Sequence, residues 1–93
     1  MNVALLIGIA GYERLQSLPA CSNDVGCIKQ IIQATGKYDR VYTIEGQASA
    51  VELKDRVRGV ASELQSASVG ELFFYYTGHG HYSDELYFCP SDF

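Results

Sequence analysis

The residues best suited to chemistry in this sequence stand together, in Leu72-Phe73-Phe74-Tyr75-Tyr76-Thr77-Gly78-His79-Gly80-His81. An apolar and aromatic run closed by Gly-His-Gly predicts a buried strand that delivers a histidine to a glycine-lined turn. Imidazole has the unperturbed pKa nearest neutrality, so it is the usual proton-transfer group in catalysis. In parallel α/β sheets, ligands gather beyond the carboxyl ends of the strands. Glycines on either side let backbone approach a substrate and leave N–H groups free to meet developing negative charge.

The same segment supports a metal reading. His79, His81 and Asp84 bring two imidazoles and a carboxylate close in sequence, as in some zinc-dependent hydrolases. The usual dinuclear spacing is not met, because Glu85 follows Asp84 and the sequence contains no third histidine. A phosphate-binding loop is excluded more firmly, since Gly8-Ile9-Ala10-Gly11 leads to no Gly-Lys-Ser/Thr.

Alternating strands and helices must position these groups. Val3–Ile9 is a near-continuous aliphatic run, suited to a strand covered on both faces. A turn through Gly11 to Pro19 follows. Ser22 or Asn23 can cap a helix to about Ala34, with Val25, Ile28, Ile31 and Ile32 on one side and Gly36 as the stop. Arg40–Glu45 reads as a second strand. Ser49-Ala50-Val51-Glu52 is a capping box, opening a helix with Leu53, Val57, Val60 and Leu64 at helical spacing. Gly59 costs that helix about 1 kcal/mol relative to alanine, which suggests that packing demands a small residue there. Leu72–Tyr76 is the third strand, and Glu85–Cys89 a short extended piece ended by Pro90.

The order β-α-β-α-β predicts an α/β fold, a three-layer sandwich on a mainly parallel sheet with right-handed crossovers. The first strand must then neighbour both others, which leaves the outer edge of the third open. An exposed aromatic edge invites pairing, so self-association through Leu72–Tyr76 is expected unless Glu85–Cys89 folds back to cover it.

Composition narrows the function. Ninety-three residues make one small domain, and a net charge of −4 without a basic patch argues against nucleic acid as partner. No run approaches the roughly twenty apolar residues of a membrane span, and Val3–Ile9 lacks the basic flank of a signal sequence. Cys21, Cys27 and Cys89 form no even framework and no C-x-x-C pair, which favours free thiols in a reducing, cytoplasmic compartment and disfavours structural zinc. Cys27 reads as a small buried hydrophobe on its helix and Cys89 as structural. His81 reads as a turn residue.

Four segments together carry a family resemblance: Ala4-Leu5-Leu6-Ile7-Gly8-Ile9, Leu18-Pro19-Ala20-Cys21-Ser22-Asn23-Asp24, Phe73-Phe74-Tyr75-Tyr76-Thr77-Gly78-His79-Gly80, and Tyr87-Phe88-Cys89-Pro90-Ser91-Asp92-Phe93. In order and spacing they resemble the caspase-like cysteine peptidases, and among these the metacaspases and their bacterial relatives. The resemblance implies an endopeptidase of the kind associated with programmed cell death. It implies that His79 is the catalytic histidine, assisting proton transfer to and from a cysteine thiolate and the leaving amine. It implies that the Gly80 amide is one oxyanion donor, and that Asp24 lines a pocket selecting Arg or Lys before the scissile bond. The arginine by which caspases proper select aspartate is replaced here by Leu18, Pro19 and Ala20.

The family's nucleophile, usually within Asp-x-Cys-x-x-Gly well beyond the histidine, is not among these residues. Residues 1–93 therefore resemble the amino-terminal, histidine-bearing portion of the peptidase domain. They are expected to be inactive alone and to need a complementary fragment carrying the catalytic cysteine, acting on a peptide or protein with a basic residue before the cut. No cofactor is implied. Calcium activates some metacaspases, but Asp24, Asp84, Glu85 and Asp92 form no recognisable calcium loop. Two alternatives stand beside this reading: a non-catalytic interaction or regulatory module on the same half-sheet, and the zinc hydrolase on His79, His81 and Asp84. Asp24 can equally serve only the positive end of a helix dipole, and Asp92 can orient a loop or simply be solvated.

Overall fold

A computed structural model describes all residues from Met1 to Phe93. Strand β1 (Asn2–Ile9) leads to helix α1 (Ala20–Ala34), strand β2 (Arg40–Gly46), helix α2 (Ala50–Leu64) and strand β3 (Glu71–Thr77), and the chain closes with two short strands, β4 (Gly80–Tyr82) and β5 (Leu86–Phe88). The three long strands form a parallel sheet in the order β2-β1-β3, and β4 and β5 form a separate antiparallel hairpin. The fold is the expected α/β sandwich.

β1 is central, and its side chains from Val3 to Ile9 are buried. Alternation sends them into two cores. On one face Ala4 and Leu6 pack with Val25 and Ile32 of α1; on the other Leu5, Ile7 and Ile9 pack with Ile44 and Ala48, partly covered by Leu53 and Val60 of α2. One helix on each face follows from the topology. The chain moves from β1 to β2 on one side and then returns past β1 to β3, and crossovers of the same hand in opposite directions lie on opposite faces. That reversal makes a switch point beyond the carboxyl ends of β1 and β3, the place where such sheets form a crevice.

Local signals explain most boundaries. The Ser49 side chain accepts from the Glu52 amide and the Glu52 carboxylate from the Ser49 amide, the predicted reciprocal cap. Gly36 turns the chain out of α1 at φ +65°. Other expectations are corrected. α1 begins at Ala20 with Pro19 as its cap and no side-chain capping bond, so Ser22 and Asn23 lie inside the helix. Ile31 and Cys27 are exposed rather than packed. Nothing lies within 4 Å of a Cβ built on Gly59, so no close packing explains that glycine. β3, expected to be a buried strand, has no buried residue, and Glu71 to Phe74 are exposed. Its outer edge is open as expected, because the extended piece at Glu85–Cys89 pairs with β4.

The hairpin instead leans over one face of β3: the Phe88 ring stacks on Tyr76 at 4.0 Å and on Phe74 at 6.1 Å between centroids. Beyond it, the carboxyl-terminal residues tie loops together. Ser91 Oγ accepts from the Ala48 amide, the Ser91 amide donates to the Ala48 carbonyl, and Asp92 Oδ1 accepts from the Ala50 amide at the start of α2. Asp92 thus orients a loop and a helix end. No helix is long and apolar enough to cross a membrane.

Candidate active site

The two loops that leave β1 and β3 meet at the switch point. Gly8 and Thr77 face each other across the β1–β3 ladder. A Cβ on Gly8 would stand 2.5 Å from Val25 Cγ2 and 2.9 Å from the Cys21 carbonyl oxygen, so α1 starts directly against the strand end. That close approach brings Cys21 and Asp24 to Thr77, whose Oγ1 lies 3.4 Å from Cys21 Sγ and 3.5 Å from Asp24 Oδ2. Asp24 is the fifth residue of α1 and lies past its first turn, which contains no acidic residue. The dipole of the helix end therefore does not account for it. Its carboxylate is exposed, with most of its acceptor capacity unused.

His79 is held from three directions by residues that sequence reasoning did not single out. Its Nε2 lies 2.8 Å from the Gln16 carbonyl oxygen. A carbonyl only accepts, so Nε2 carries the proton and the lone pair of the neutral ring sits on Nδ1. The Tyr12 ring meets the imidazole edge-on at 4.7 Å between centroids, and its hydroxyl accepts from the His79 amide at 2.9 Å. The Tyr76 hydroxyl donates to the His79 carbonyl at 2.7 Å. The Gln16 contribution left no trace in the sequence, because any residue supplies a carbonyl. Tyr12 and Tyr76 did carry a signal: phenols beside a strand end bring a polar tip where the backbone has lost its ladder partners.

Gly80 begins β4 opposite Phe88. The bond from the Cys89 amide to the His79 carbonyl, 3.0 Å, shows that this is a non-hydrogen-bonded pair, so the Gly80 N–H faces out of the hairpin. The site therefore offers an imidazole oriented through Nε2, an outward backbone N–H one residue later, and an exposed carboxylate on α1 beside Thr77.

The metal reading fails on geometry. The His81 ring lies against Phe93 within strand β4 rather than in a turn, and Asp84 accepts from Ser83, the Glu85 amide and Tyr87. No three His, Cys, Asp or Glu side chains converge as metal ligands would. Hydrogen bonds from Ser83 and from backbone hold Asp84 below the usual aspartate pKa. Cys89 is buried, and burial raises its thiol pKa, the reverse of what a nucleophile needs.

The model of the caspase-domain family matches residues 1–93. The chain belongs to the caspase-domain family. No curated protein and no solved structure matched it. Membership identifies the chain with a clan of cysteine peptidases.

Proposed function

We propose that this caspase-family chain is the histidine-bearing portion of a metacaspase-like cysteine endopeptidase that cuts after Arg or Lys, with the nucleophilic cysteine supplied from outside residues 1–93. The observation that carries the reading is the bond from His79 Nε2–H to the Gln16 carbonyl, which leaves the Nδ1 lone pair free to accept a proton. In the reaction, Nδ1 takes the thiol proton, the thiolate adds to the scissile carbonyl, and the Gly80 amide stabilises the oxyanion. The imidazolium then protonates the leaving amine, and water releases the acyl group from the sulfur. The Asp24 carboxylate receives the cationic side chain before the cut through charge-assisted hydrogen bonds. Cys21, buried and bonded by Thr77, and Cys89, buried with a raised pKa, make poor nucleophiles, and Cys27, exposed on α1, makes no hydrogen bond with His79.

The test joins residues 1–93 to a segment bearing Asp-x-Cys-x-x-Gly and follows Arg- and Lys-containing peptides. The chain alone should leave them intact; the joined protein should cut them and lose activity with His79→Ala. Cleavage by the chain alone that survives Cys89→Ser would overturn the external nucleophile. A folded assembly that cuts nothing would favour an interaction module.

A further inference from the structure

Two glycines bracket His79, and glycine places little restraint on the backbone around it. The restraint comes from two phenols. Tyr12 accepts from the N–H of His79, and Tyr76 donates to its carbonyl, so both polar groups of the residue are tied to side chains. We propose that Tyr76 is a positioning residue for the oxyanion-binding amide: its bond to the His79 carbonyl fixes the His79–Gly80 peptide so that the Gly80 N–H is aimed at the substrate. This rests on the peptidase reading above and deepens it.

The argument is one of peptide geometry. The His79–Gly80 peptide is trans, as are all in the chain, so its carbonyl and N–H point in opposite directions. Whatever holds the carbonyl inward therefore holds the Gly80 N–H outward. Two donors hold it, the Tyr76 hydroxyl at 2.7 Å and the Cys89 amide at 3.0 Å, which fill both lone pairs of the oxygen. The Cys89 bond belongs to a short hairpin; the tyrosine ties the same atom to β3 of the main sheet.

The tyrosine is itself firmly placed. Its ring stacks on Phe88, with planes 16° apart. A Cβ on Gly78 would stand 2.6 Å from the Tyr76 hydroxyl oxygen and 2.7 Å from that of Tyr12, so the two phenols occupy the space that any side chain at 78 would need. Burial, with help from Tyr12, raises the Tyr76 pKa far above the ordinary phenol value, so the group remains a donor across the working range.

The experiment compares the wild type, Tyr76→Phe, and a protein with p-aminophenylalanine at position 76, which returns a donor. In the joined enzyme, Tyr76→Phe should lower kcat about tenfold with KM unchanged, less than the roughly 10²–10³ lost when an oxyanion donor is removed outright. The amino analogue should recover most of it. In residues 1–93 alone, the Gly80 amide resonance should shift in Tyr76→Phe and return with the analogue. Hydrogen exchange on the wild type should find the Gly80 amide unprotected between protected His79 and Cys89 amides, a measurement that stands even if the variant fails to fold. An unchanged Gly80 resonance and kcat in folded Tyr76→Phe, a rise in KM alone, or a protected Gly80 amide would each overturn the proposal. If the wild-type assembly cuts nothing, the peptidase reading falls, and the Gly80 shift still decides whether this hydroxyl sets the peptide.

Discussion

Gly8 and Val25 touch with no room for a methyl group between them, since a Cβ on Gly8 would lie 2.5 Å from Val25 Cγ2. The buried Cys21 carbonyl lies on the same side, so neither neighbour has an easy way to yield. Gly8→Ala should therefore destabilise the fold by about 1–3 kcal/mol through overpacking. Gly59→Ala, in open space within α2, should stabilise it by about 1 kcal/mol. Urea unfolding of both variants measures the contrast; equal effects would contradict it.

The same contact sets Asp24 against Thr77, and specificity should follow from that placement. With the nucleophile-bearing segment restored, Asp24→Ala should cut the preference for Arg over a neutral residue by about ten- to a hundredfold, since a charge-assisted hydrogen bond contributes about 1.5–3 kcal/mol. Relative kcat/KM values on Arg, Lys and neutral peptides provide the measurement. An unchanged ratio would remove Asp24 from the pocket.

At the opposite end of the sheet, Glu71 accepts from the Tyr38 hydroxyl at 2.6 Å and from Lys37 Nζ at 3.0 Å, joining β3 to the approach to β2. Those bonds, Tyr38 first, hold the Glu71 pKa below its ordinary 4.5. A carboxylate lowered on folding contributes stability above its unfolded pKa and loses it as pH falls through the folded value. Unfolding midpoints should thus decline below about pH 4.5, and less steeply in Glu71→Gln. Glu71 also raises Lys37 above 10.5 and Tyr38 above 10.0, so their contribution is complete below those values and fades as pH climbs past them. The pair is exposed, and the slopes should be small. Identical acid limbs in the wild type and Glu71→Gln would refute the linkage.

Thiol reactivity gives a direct test of burial. Cys27 is exposed, whereas Cys21 and Cys89 are buried and desolvation raises the Cys89 pKa. Iodoacetamide at neutral pH should modify Cys27 within minutes and reach the other two only after denaturant is added, as mass spectrometry of peptides would show. Rapid native labelling of Cys89 would contradict its placement.

What the sequence disclosed was local. The aliphatic run of β1 and the Ser49–Glu52 box were legible because each carries its own periodicity or reciprocal bonds. The start of α1 was misread because Ser22 and Asn23 are good caps, yet Pro19 and Ala20 enter the helix first. The hairpin partner β4 was missed because Gly80–Tyr82 is too short to show alternation. Candidate site residues His79, Gly80 and Asp24 could be named from motif position. The carbonyl that orients His79 could not, since Gln16 acts through an atom common to every residue.

The last expectation concerns the outer edge of β3. Its inner edge is paired with β1 from Glu71 to Thr77, while no strand of this chain lies on the other side. The β4–β5 hairpin covers part of one face through Phe88 and leaves the edge alone, and Leu72 remains 58% exposed with Phe74 at 47%. Backbone groups along a free edge pair readily with another strand when the flanking side chains are apolar. The isolated chain should therefore associate at micromolar concentration in sedimentation. The β3 amides that face away from β1 should become protected from exchange as concentration rises. Leu72→Lys should restore the monomer with a stability change within about 0.5 kcal/mol, because the position is solvent-facing and a charge on the edge opposes pairing. A wild-type chain that stays monomeric at every concentration, with those outward amides already protected, would mean that the edge is covered from within.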